Sequence, residues 1–148
     1  MRVRLSRLAV AALLWALPGV AGAATGPVGA WLTENHDGVI AIAPCGAELC
    51  GRIVGMSKPL RPDGSRPVDK QGRPQCGLTI LHVAAGDAPG LWQGEITDPI
   101  DGSVWRCRLS MDGEGRLHLR GYVLLPLLGQ TQLWTSYTGH VTQDCRME

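Results

Sequence analysis

The chain has 148 residues with 14 Lys or Arg against 13 Asp or Glu, 45% hydrophobic residues, 20 glycines, 10 prolines, five cysteines and no phenylalanine. The length suits one domain with one core. The basic residues are scattered and form no run, so nucleic-acid binding and polybasic attachment to a membrane surface have no electrostatic footprint here.

Residues 1–23 read as a cleavable signal peptide. Arg2, Arg4 and Arg7 form a basic start, Leu8 to Leu17 is an apolar run of ten residues, and Ala21-Gly22-Ala23 is a small-residue cleavage pattern. Ten apolar residues are too few to span a bilayer, which takes about 20. Position 24 is Ala, so a lipid-modified cysteine is not expected there. Removal of the three arginines leaves 11 basic and 13 acidic residues, a net charge of −2. The expected location is periplasmic or secreted, with residues 24–148 forming a single domain and no integral membrane segment after cleavage.

The remainder reads as short strands separated by Gly, Pro and Asp turns. Residues 31–34 and 39–42 form a hairpin about Asn35-His36-Asp37-Gly38, with Asp-Gly supplying the left-handed backbone. Residues 49–56 follow as a third strand. Residues 57–75, rich in Pro, Gly and charge, predict a long solvated loop, of the kind that is functional or mobile. Residues 77–83 are apolar and read as a strand or one short helical turn, and strand-like segments recur at 91–97, 103–111, 117–123 and 131–137. In 103–111, Trp105, Cys107 and Leu109 share one face; in 117–123, Leu117, Leu119, Gly121 and Val123 share one face and His118, Arg120 and Tyr122 the other. No window of a dozen residues has a helical period. The pattern predicts an all-β fold, a small antiparallel up-and-down barrel of about eight strands, whose closure removes exposed edges.

The cysteines, in an oxidising compartment, are expected to pair. Cys45 and Cys50 flank a turn-sized gap and are expected to bridge a hairpin. Cys145 would pair with Cys76 or Cys107, leaving one thiol free. No metal site is expected: Cys45 and Cys50 lack a C-x2-C companion, and His36, His82, His118 and His140 are not near them in sequence.

Several segments carry a resemblance. Gly29-Ala30-Trp31-Leu32-Thr33, Pro44-Cys45-Gly46, Leu49-Cys50-Gly51-Arg52-Ile53-Val54, Asp98-Pro99 with Asp101-Gly102, residues 117–123, Pro126-Leu127-Leu128-Gly129, and Thr131 with Trp134-Thr135 together cover nearly all of the chain after the signal. The chain resembles the bacterial family called domain of unknown function 2147, which implies a lipocalin-like barrel; the family has no established activity, so the resemblance carries over no catalytic residue. In lipocalins the opening Gly-x-Trp closes one barrel end and a late Arg stacks on the Trp. Ser136 stands where such an Arg is often found, so Arg120 or Arg52 would have to take that place over Trp31.

No nucleophile elbow, P-loop or H-E-x-x-H motif is present. Glu95, Asp98 and Asp101 could imitate a glycosidase acid/base pair, but Asp98-Pro99 and Asp101-Gly102 are better read as turn chemistry. The expected function is a non-enzymatic, cofactor-free binding protein holding a small apolar or amphipathic ligand in the barrel. Trp31, Arg120, Tyr122, Leu125, Leu128 and Trp134 are the candidate ligand residues. The alternative is a protein-interaction, inhibitor or envelope-assembly module working through residues 57–75 or the apolar stretch 124–129.

Overall fold

A computed structural model describes residues 26–148; the expected signal peptide and its cleavage point lie outside the described residues. Eight antiparallel strands close a barrel in chain order: β1 (Gly29–Leu32), β2 (Gly38–Cys45), β3 (Glu48–Met56), β4 (Thr79–Ala85), β5 (Leu91–Thr97), β6 (Val104–Met111), β7 (Leu117–Tyr122) and β8 (Gln130–Ser136). β1 closes the ring on β8 through Trp31 opposite Ser136 and Leu32 opposite Thr135. The fold is therefore the expected all-β up-and-down barrel.

Alternation along the strands decides what lies inside. Ile40 and Ile42 on β2, Leu81 and Val83 on β4, Cys107 and Leu109 on β6, and Leu117 and Leu119 on β7 are all buried. Side chains two apart share a face of the pleat, so each pair points to the same interior. Each such aliphatic side chain contributes roughly 1.5–3 kcal/mol on leaving water.

The turns differ in detail from the sequence reading. In the β1–β2 turn the left-handed residue is His36, at φ 58°, and Gly38 already belongs to β2. Asp37 accepts a 2.5 Å hydrogen bond from Thr33 Oγ1, which itself accepts from the Gly38 N–H at 3.0 Å, so the aspartate braces the turn while a neighbour supplies the unusual φ. The β2–β3 hairpin is tighter than expected: Cys45 pairs with Glu48, leaving Gly46 and Ala47 as the turn, with Gly46 at φ 71°. The Cys45–Cys50 disulfide spans it, as the spacing suggested.

Residues 57–78 are not simply a solvated loop. Asp69 is buried at their centre. Desolvation raises its pKa, but the Arg73 N–H and guanidinium and the Gln71 N–H outweigh that effect and hold the carboxyl below its usual range. Gln75 Nε2 donates to the carbonyls of Val68 and Pro99, tying the loop to the β5–β6 turn.

The second disulfide joins Cys76 to Cys145 and resolves the choice left open by the sequence. After β8 the chain crosses the outer wall. Tyr137 N–H donates to Ala30 on β1, and Met56 N–H at the end of β3 donates to the Cys145 carbonyl at 2.7 Å. A Cβ on Gly55 would fall 2.9 Å from Val39 and 3.0 Å from Met147, so only glycine lets the tail lie this close.

Cys107 is the free cysteine among the described residues and is fully buried. Burial, with a smaller contribution from Glu95, pushes its thiol up to about 12. At pH 8 the reactive thiolate fraction is then on the order of 10⁻⁴. Iodoacetamide is expected to leave the folded protein unmodified at pH 8 and to add one adduct after denaturation without reductant, read by intact mass. An adduct on the folded protein at a comparable rate would refute the buried placement.

Candidate functional site

The two barrel ends are built differently. One carries the β2–β3, β4–β5 and β6–β7 turns and is packed shut. There Pro27 is fully buried and Trp31 donates its indole N–H to the Pro27 carbonyl at 2.7 Å. Gly26 approaches the Trp92 ring so closely that a Cβ would lie 3.4 Å from it. Trp31 is thus a plug fixed by the incoming chain.

The other end carries the β1–β2, β3–β4, β5–β6 and β7–β8 connections. A cavity of about 680 Å³ opens there. Its walls include Ile40, Ile53, Ile80, Ile96, Leu119 and Trp134. Its polar groups come from the mouth: Asp37, Ser57, Lys58, Gln75, Asp98, and Gln130 and Gln132 on β8. Trp134 Nε1 donates to Gln132 Oε1 at 2.9 Å, so its indole N–H is satisfied. Asp98 accepts from the backbone N–H groups of Ile100 and Asp101, at 2.7 and 3.3 Å.

Of the six candidate residues, Trp134 lines this cavity. Trp31 lies in the packed core away from it. Tyr122 pairs opposite Arg106, on the parity of His118 and Arg120, and is buried. Arg120 donates to the carbonyls of Pro126 and Leu127 and, at 2.8 Å, to Thr131 Oγ1. It therefore holds the β7–β8 connection and does not stack on Trp31. Leu125 and Leu128 flank or belong to a 3-10 turn, Pro126–Leu128, and are 59% and 72% exposed. Sequence reasoning missed Lys58, Gln75, Gln130 and Gln132.

The carboxylate trio is dispersed in role. Asp98 and Asp101 brace the β5–β6 turn, and Glu95 sits on β5 opposite Arg106. One neighbourhood is closer than the sequence implied. Because Cys50 pairs with His82 across β3 and β4, His82 Nδ1 lies 3.4 Å from Cys50 Sγ and 3.8 Å from Glu48 Oε2. Both sulfurs are joined in the disulfide, so neither offers a thiolate to a metal.

Residues 29–136 match the family described as "Uncharacterized protein conserved in bacteria (DUF2147)". The chain belongs to the DUF2147 family. This DUF2147 chain is also similar to a solved structure, the Helicobacter pylori protein HP1028, described as belonging to the lipocalin family, with TM-score 0.61 and 15% identity over 75% of this chain and 82% of that one. At that identity the likeness concerns the fold alone. No curated protein matches the DUF2147 chain.

Proposed function

We propose that this protein is an exported, non-enzymatic carrier that holds one small amphipathic molecule in its barrel. The observation that carries this reading is a cavity of about 680 Å³, within the roughly 300–1,000 Å³ of known ligand sites. Its apolar floor suits a hydrocarbon or ring portion. Lys58 stands at the mouth with Asp37 and Asp98, a balance that favours a neutral or zwitterionic polar end over a free anion. The glutamines offer both donors and acceptors to such an end. Two disulfides suit an oxidising compartment, and no helix among the described residues is long and apolar enough to cross a membrane.

Gly121 supplies a direct test. It lines the cavity, its φ is unexceptional, and the nearest atom to a Cβ built there is the Trp105 Cβ at 3.9 Å. Gly121→Phe therefore places a ring in the open space. The neutral fluorescent probe N-phenyl-1-naphthylamine is expected to bind the native protein and to be displaced by lysophosphatidylcholine. The variant is expected to bind at least about tenfold more weakly, some 1.4 kcal/mol, with its circular dichroism unchanged. Probe binding unaffected by the variant, or none by the native protein, would overturn the reading.

A further inference from the structure

Among the described residues, the exposed large hydrophobics are distributed unevenly. Apart from Val28, all belong to the open end: Leu60, Ile100, Val104, Trp105, Val123, Leu124, Leu125, Leu127 and Leu128. The most exposed are Leu127 at 85%, Ile100 at 76% and Leu124 at 75%. Ile100 and Trp105 also line the cavity, so the apolar rim and the apolar interior are continuous.

We infer that the open end docks on the interfacial layer of a lipid bilayer bearing anionic headgroups, with residues 123–128 as the inserting element. Backbone chemistry supports this occupant. A peptide carbonyl taken out of water without a donor costs several kcal/mol, which keeps irregular loops away from hydrocarbon. Here the Pro126 and Leu127 carbonyls already accept from Arg120, and the Leu128 and Gly129 N–H groups donate to Leu125 and Pro126. The tip presents aliphatic side chains, and the carbonyls of Leu125, Pro126 and Leu127 and the N–H of Leu128 are satisfied internally.

Charge supports it as well. Arg120, and Arg106 on the adjacent strand with its side chain exposed, stand on the outer wall just below the leucines, at the level of headgroups when the tip is immersed by about 5–10 Å. Glu95 on β5 stands opposite Arg106, and the Asp98 and Asp101 carboxylates on the neighbouring turn accept backbone N–H groups, which leaves Arg120 as the cation directly beneath the tip. The inserting element, residues 123–128, holds four leucines and no Trp, Tyr or Arg, which fits a lipid better than a protein partner, because protein hot spots favour Trp, Tyr and Arg and under-represent Leu.

This inference adds a loading surface to the carrier reading, and the two fail separately. The test is flotation of the purified protein with phosphatidylglycerol/phosphatidylcholine vesicles and with phosphatidylcholine vesicles alone. The protein is expected to float with the anionic vesicles and much less with the zwitterionic ones. Leu124→Asp with Leu127→Asp should weaken flotation at least about tenfold, since apolar burial is the main term. Both sites are largely exposed, so the melting temperature should hold. Arg106→Glu should remove the preference for anionic vesicles, while Gly121→Phe should float as the native protein does. A native protein that binds the fluorescent probe and ignores both vesicles overturns the docking alone. One that floats and binds no probe overturns the cavity reading alone. A dimer lost in the Leu124→Asp, Leu127→Asp protein, without vesicle binding by the native one, assigns the face to a second copy and overturns the proposal.

Discussion

Cys76→Ser together with Cys145→Ser is expected to lower the unfolding free energy by about 4 kcal/mol, since cross-linking a loop of this size removes that much conformational freedom from the unfolded chain. The two positions are 69 residues apart. Cys45→Ser with Cys50→Ser, across a separation of 5, should cost about 2 kcal/mol by the same reasoning. Urea unfolding of the native protein and the two double variants gives the comparison. Equal losses would show that the bonds act through local packing instead. The longer bridge should also influence binding. It anchors the segment that carries Gln75, beside the mouth, so the probe affinity should fall in its absence even under conditions where the barrel remains folded.

Gly94→Ala is expected to be the most damaging single substitution. Gly94 pairs with Val83 across β4 and β5, and a Cβ there would overlap the His82 carbonyl oxygen and lie 2.8 Å from the Val83 Cα. Both obstacles are main chain. Relief requires separating two strands of a closed ring, which breaks the ladder on both sides. The cost should exceed about 4 kcal/mol, the range reserved for severe structural conflict. Soluble yield and melting temperature report it. A variant that melts within a few degrees of the native protein would disprove the close approach.

The barrel was legible because its interior is written in alternation. Cys107 and Leu109, or Leu117 and Leu119, declare a face without any tertiary information. The same alternation placed Cys107 beside Leu109, which favours a buried thiol and a Cys76–Cys145 bond; counting cysteines alone left that choice open. The candidate site was less legible for two physical reasons. Its walls join residues from distant connections, such as Lys58, Gln75 and Asp98, which no local period links. Its polar strand positions resemble a solvent face: Gln130 and Gln132 point inward with Trp134, yet glutamine is ordinarily read as exterior. The two-residue spacing up to Trp134 was the signal that would have found them. Arg120 attracted attention as a charge beside an apolar strand. Its role became visible only when the turn at Pro126–Leu128 was seen to fold back over it.

Cys145 comes after every strand of the barrel, and its partner Cys76 precedes β4. The covalent ring can therefore close only after β4 through β8 have all been delivered, whereas the Cys45–Cys50 hairpin is complete once β3 begins. Chain order thus makes the sealed base available for cross-linking before the entrance. A chain holding the first bond alone would have a finished floor beneath an untethered doorway.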